Sequence, residues 1–220
     1  MRIILVFRLL LMLTALFPLT AELQTQTFSV KEIAPGIYLR PGLQQEISAE
    51  NRGHIANIGF ILGNSRVAVI DTGNSYQEGL ALRRAIREIT SLPIAYVILT
   101  HMHPDHVLGA AAFSQDRPAF IGHAQLRDAL LRRESFYLAR ARETLGGLAE
   151  GTRLLLPSQE VEISHVLELD LGGRTLELRA YPTAHTNNDL SVYDSHTGTL
   201  WLSDLLFVIA RVLARHDGGS

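Results

Sequence analysis

The segment Thr100-His101-Met102-His103-Pro104-Asp105-His106 packs three histidines and one aspartate into six residues, directly behind the apolar run Ala95-Tyr96-Val97-Ile98-Leu99. Such a run reads as a buried strand, so the cluster sits where a strand leaves the interior. Imidazole nitrogens and a carboxylate suit zinc, iron or manganese, and water bound to such an ion loses much of its proton affinity. Hydrolysis is the chemistry this predicts. His and Asp also occur in ordinary loops, and Asp105 can cap a helix over residues 107–113. Pairs at i, i+2 and at i+4, i+5 nevertheless supply two adjacent centres from one rigid turn, and capping is compatible with ligation.

The H-x-H-x-D-H run resembles that of the metallo-β-lactamase fold hydrolases, and further segments agree in order. Val67-Ala68-Val69-Ile70-Asp71-Thr72-Gly73 looks like that family's early strand, ending in an aspartate that buttresses the metal loop. Ala184-His185-Thr186-Asn187-Asn188-Asp189-Leu190 is similar to its isolated third histidine, and Leu200-Trp201-Leu202-Ser203-Asp204-Leu205-Leu206-Phe207 to the strand whose aspartate bridges two metals in the glyoxalase II-like branch. The resemblance implies an α/β fold, the four-layer αββα sandwich. It implies one or two Zn2+ ions, with His101, His103 and His185 on the first, Asp105 and His106 on the second, and Asp204 between them. Asp105 would also be catalytic, orienting a hydroxide held between the metals, and Asp71 would support the site by fixing a histidine tautomer or the loop backbone.

Asp204 stands where the cysteine-containing β-lactamase branch carries a thiolate. The flanks His54-Ile55-Ala56-Asn57-Ile58-Gly59-Phe60 and Pro182-Thr183 before Ala184 are most similar to exported zinc metallohydrolases of bacterial quinoprotein dehydrogenase relay systems. The resemblance therefore implies hydrolysis of an ester, thioester, lactone or similar small substrate, beside periplasmic quinoprotein oxidation. A metal-binding accessory protein with little turnover, a β-lactam hydrolase and a redox di-iron protein are the alternatives. One departure stands out: the family's sixth ligand, a later histidine in a Gly-His-Gly-like loop, has no matched counterpart. His216 is the only histidine after Asp204. A domain truncated after about residue 207, with a weaker second metal site, is the expectation.

At 220 residues, 47% hydrophobic and 19% charged, the chain suits one soluble domain with a sizeable core. Arg2 and Arg8 precede an apolar run over residues 9–19 interrupted only by Thr14 and Pro18. That run is too short for the roughly 17–25 residues of a membrane span, and it predicts an export signal, residues 1–21, cleaved after Ala21, leaving a periplasmic domain over 22–220 with no stable membrane span. An uncleaved tether is the alternative. Cysteine is absent, which excludes disulfides, thiolate metal sites and a cysteine nucleophile. The net charge of −2 argues against a nucleic-acid partner, leaving a small-molecule substrate. Lys31 is the only lysine and lies before the first motif, so a lysine catalyst near the metal is not expected.

Patterning predicts β segments over 29–39 and 54–62, separated by a polar loop over 44–52 that overhangs the site. It then predicts strand 67–70, helix 76–89, strand 94–99, a helix over 107–113, strand 118–121 and a long helix over 124–145. Arg127, Arg132, Arg133, Arg140 and Arg142 would form a solvated face of that last helix. Alternation on both sides of Gly172-Gly173 predicts a two-residue hairpin, and strands follow at 190–193 and 199–202. His54, His123, His165 and His196 read as structural or surface residues, with His54 and His123 near enough to strand ends to line a pocket.

Overall fold

In the computed structural model, which describes residues 28–207, the strands form two sheets. The export signal, the expected break past 207 and His216 lie outside the described residues. The first sheet has seven strands in chain order: β1 (Lys31–Ala34), β2 (Ile37–Arg40), β3 (Ile58–Leu62), β4 (Val67–Ile70), β5 (Ile94–Ile98), β6 (Ala119–His123) and β7 (Gln159–Val161). Pairing is antiparallel up to β4 and parallel from β4 to β7. The second sheet, ordered β11-β10-β9-β8, is antiparallel throughout and comprises β8 (Val166–Asp170), β9 (Thr175–Ala180), β10 (Leu190–Asp194) and β11 (Thr199–Trp201).

Strand alternation explains the layers. Val67, Val69 and Val97 join a core with α1 (Tyr76–Ile89), α3 (Leu126–Leu131) and α4 (Glu134–Leu145), whereas Ala68, Ile70 and Ile98 join Leu176, Leu178 and Val192 of the second sheet. The middle strands are thus buried on both faces, which is why they read as unbroken apolar runs. Each fully buried Val, Ile or Leu contributes about 1.5–3 kcal/mol. Helices, first sheet and second sheet give three of the expected layers, and all three of these helices pack into the first core. Among the described residues no helix is long and apolar enough to cross a membrane.

Several elements differ from the sequence reading. Residues 29–39 are two strands, because Gly36 turns the chain at a φ of 72°. Residues 54–57 are not strand, although 58–62 are. The helix expected over 107–113 begins earlier, as α2 (Pro104–Val107) with proline at its first position, and resumes as a 3-10 segment at Ala110–Asp116. The helix expected over 124–145 is divided at Arg132 and Arg133. No proline or glycine causes that break; α3 packs on β6 while α4 lies over the site. Arg127, Arg132, Arg140 and Arg142 are exposed as expected, but Arg133 is half-buried. The Gly172-Gly173 turn is as read, with both φ values positive.

The metal-loop residues follow β4 and β5, so the site lies at the end of the sandwich where those strands finish. Leu190 N–H, opening β10, donates to Thr100 O at 2.8 Å and joins the sheets there. At the opposite end, Arg174 reaches between the sheets. Its Nε and Nη2 donate to Asp194 at 2.9 and 2.8 Å, and its Nη1 donates to Pro35 O and Leu62 O at 2.9 and 2.8 Å. Burial alone would push the Asp194 carboxyl up, but the Arg174 hydrogen bonds and charge, aided by Thr197, hold it below the usual carboxylate range.

Candidate metal centre

Asp71 organises the site from beneath. It sits at the end of β4 in the left-handed region, φ 57°, a conformation that costs a non-glycine residue energy and is kept where the surroundings enforce it. Its Oδ1 accepts from Thr100 N–H at 2.9 Å, and its Oδ2 accepts from Thr100 Oγ1 at 2.8 Å and faces His106 Nδ1 at 2.8 Å. A proton on Nδ1 leaves the buried His106 Nε2, which makes no hydrogen bond among the described residues, with its lone pair toward the site. Thr100 acts similarly on His101. Its hydroxyl proton goes to Asp71, so its oxygen accepts from His101 Nδ1 at 3.1 Å and turns His101 Nε2 outward.

All six expected ligands converge. His103 Nδ1 lies 3.0 Å from His101 Nε2 and 2.9 Å from His185 Nε2. Asp204 Oδ2 is 3.7 Å from His101 Nε2 and 3.4 Å from His185 Nε2. Ligand atoms around a tetrahedral ion with bonds of roughly 2.0–2.1 Å stand about 3.3 Å apart, so these four residues suit one ion. A second group forms beside it: His106 Nε2 is 3.4 Å from Asp105 Oδ2 and 3.5 Å from Asp204 Oδ1. Asp204 thus turns one oxygen to each group. Hard carboxylates with neutral imidazoles favour a borderline divalent cation.

Burial and mutual repulsion keep two histidines of the first group neutral, the form that ligates, while the carboxylates around His106 favour its charged form in the absence of an ion. Burial, then the neighbouring histidines, holds His101 far below the ordinary imidazole range, and His103 is lowered by burial and by His185. Burial pushes the Asp204 carboxyl up. Burial opposes charge on His106 too, but the Asp71 and Asp105 carboxylates outweigh it and raise the imidazole above its usual value. Burial also works against Asp105, whose carboxyl is nonetheless kept low, principally by His106.

Sequence reasoning did not single out Thr100 or Ser203, though both lie in the quoted segments. Ser203 Oγ is 2.9 Å from Thr100 Oγ1 and 3.3 Å from Asp71 Oδ2, and its own φ is 48°. The signal was adjacency, since each precedes a ligand by one residue. His54 and His123 are buried rather than pocket-lining. His123 Nε2 donates to Tyr181 O at 3.1 Å while its Nδ1 accepts from Gln125 N–H at 2.9 Å. Gln125 in turn accepts from Asn187 of the His185 loop at 2.8 Å. His165 is exposed.

Two cavities flank the ligands and share Asp105 and Ile55. One, of about 480 Å³, is lined by Gln44, Asn57, Ser203 and Asp204 among others. The other, of about 350 Å³, runs between the loop and α4. Gln44 and Ile47 place the expected overhanging loop on both.

Residues 51–219 match the sequence model described as the Metallo-beta-lactamase superfamily. Over 58 residues the chain is 31% identical to a linear primary-alkylsulfatase from Pseudomonas sp. (strain ATCC 19151), a stretch that takes in 26% of this chain and only 11% of the relative's length. Among solved structures, a metallo beta lactamase from Hirschia baltica superposes with a TM-score of 0.57 at 14% identity, covering 78% of this chain and 68% of the other. A metallo-beta-lactamase from Pontibacter korlensis gives 0.55 at 13%, covering 76% and 67%. Those two likenesses are of fold.

Proposed function

Because the chain belongs to the metallo-beta-lactamase superfamily, we propose that it is a zinc-dependent hydrolase of a small ester, thioester, lactone or sulfate ester. Its ligands are His101, His103 and His185 for one ion, Asp105 and His106 for a second, with Asp204 shared. The observation that carries this is the convergence of the His101, His103 and His185 nitrogens with an Asp204 oxygen, within 4.8 Å of one another. Sulfate esters belong with the others because of the alkylsulfatase segment.

When bound, a divalent ion polarises the substrate oxygen and brings the pKa of its water toward neutrality. The residues do the rest. Asp105, shared by both cavities, accepts a hydrogen bond from the attacking water, aims its lone pair and relays the proton to the leaving oxygen. Asp71 and Thr100 keep the His106 and His101 tautomers that leave Nε2 free. Ile47, Ile55 and Leu108 limit water access from the side of α4.

Metal analysis with zinc titration and an ester, thioester, lactone and alkyl sulfate panel tests this. Asp105→Asn is expected to lower kcat about a hundred-fold or more with little change in melting temperature. Undiminished turnover in that variant would refute the mechanism, and zinc binding without turnover on any substrate would favour the accessory-protein reading.

On sequence alone, we also place the protein in the periplasm, in the glyoxalase II-like branch and beside quinoprotein dehydrogenases. Arg2, Arg8 and the apolar run over 9–19 support export, Asp204 in place of a thiolate supports the branch, and the flanks at 54–60 and 182–184 support the quinoprotein connection. Fractionation of a Gram-negative host is expected to yield a periplasmic protein that begins after Ala21. A cytosolic protein retaining Met1 would remove both export and the quinoprotein connection.

A further inference from the structure

We propose that the cavity under α4 holds an apolar arm of the substrate, and that Arg133 binds an acidic group at the arm's far end. This deepens the hydrolase reading and rests on it. His103 and Asp105 bound the cavity on the ligand side, while Ile55, Leu108, Phe136 and Tyr137 line its walls together with Arg133. A substrate whose reacting group lies at the ligands therefore has a largely apolar space of about 350 Å³ for what it carries.

Arg133 makes this pocket more than greasy. It is half-buried, and among the described residues its guanidinium has no carboxylate within ion-pair distance and makes one hydrogen bond, a long 3.4 Å donation to Ala129 O. Arg140, on the same cavity, is instead paired with Glu143 at 3.0 Å. A guanidinium fork on an apolar wall lacks both a counter-ion and full hydration, and a carboxylate supplies what is missing. Tyr137 lies within the fields of both Arg133 and Asp105: burial raises its phenol, Arg133 opposes that rise and Asp105 adds to it. Phe136, 67% exposed at the same cavity, is an apolar ring that an arm would cover.

The test is a ladder of dicarboxylates, glutarate to sebacate, against monocarboxylates of equal length, titrated calorimetrically into the zinc-loaded full chain. Affinity is expected to peak at one chain length, where the diacid binds about ten-fold or more tightly than the monoacid. Arg133→Gln should erase that difference and Arg133→Lys should restore part of it. Equal affinity of mono- and diacids at every length, or a diacid preference that survives in Arg133→Gln, would overturn the proposal. Esters of the same acids are then assayed for turnover. Length-dependent diacid binding without turnover keeps the pocket and removes the hydrolase reading. Turnover with no preference for an acidic end does the reverse.

Discussion

Glu78 is a buried carboxyl without a charge partner. Ser75 caps α1 by accepting from Glu78 N–H at 3.2 Å, and Glu78 Oε2 accepts from Asn74 N–H at 2.8 Å. Its Oε1 has no hydrogen bond and stands 4.0 Å from His54 Nε2. Burial pushes Glu78 up to about 8, and burial, with Arg40 and Arg52, pushes His54 down to about 4. At neutral pH both are uncharged, so their approach is a polar contact and not an ion pair. A carboxyl raised on folding contributes stability that is full below its unfolded value, near 4.5, and is lost as pH rises toward the folded value. In chelated protein the melting temperature of Glu78→Gln should therefore gain on the wild type between pH 5 and pH 9, by about a few kcal/mol equivalent at the alkaline end. A difference that does not change with pH would show that Glu78 is ionised in the fold.

Between elements, the tightest approach near the site is backbone on backbone. A Cβ on Gly109 would stand 1.9 Å from Thr72 O, and one on Gly79 of α1 would stand 2.2 Å from Gly109 O. Thr72 holds the ligand loop through its N–H and Oγ1, both donated to His106 O at 2.9 Å. Gly109→Ala should therefore cost about 1–3 kcal/mol and weaken binding at the Asp105–His106 site more than at the three-histidine site, read by denaturant melts and zinc titration. Equal loss at both sites would mean that Thr72 does not transmit the shift. Such closeness is invisible to periodicity, whereas α1 itself was legible because its apolar residues, Leu82 and Ile86 among them, recur at helical spacing. Four of the candidate ligands, His101, His103, Asp105 and His106, were legible because the motif fixes residue types at short spacing, whereas His185 and Asp204 rested on the family resemblance. The break at Arg132 and Arg133 was not, since those residues suit a helix and only the packing of α3 and α4 on different neighbours divides them. For the same reason Arg133 read as a solvated charge, although tertiary placement sets it on a cavity wall.

At the scale of the molecule, the candidate ligands come from both sheets. His101, His103, Asp105 and His106 follow β5 of the first, while His185 lies between β9 and β10 and Asp204 follows β11 of the second. In the proposed centre metal binding is thus coupled to the joining of the sheets, and an ion that binds only the assembled form stabilises it by RT ln(1 + [L]/Kd), about 2.7 kcal/mol at a hundred-fold excess over Kd. Chelation should lower the melting temperature accordingly, and a melting temperature indifferent to zinc would dissociate the site from the fold. The Arg174–Asp194 pair, at the other end, contains no metal and is untouched by chelation. Register places it there, since Leu62 pairs with Val67 while Asp71 follows Ile70, and β10 runs from Leu190 at the ligands to Asp194. Without its ion the ligand end keeps only hydrogen bonds between the sheets, Leu190 N–H to Thr100 O and Ser203 to Thr100, against the charged pair at the other end, so the guanidinium pair becomes a hinge pin and the ligand end the looser edge of a wedge. Amide exchange would then accelerate in a gradient along β10, fastest at Leu190 and slowest at Asp194, and zinc would flatten that gradient by closing the open side.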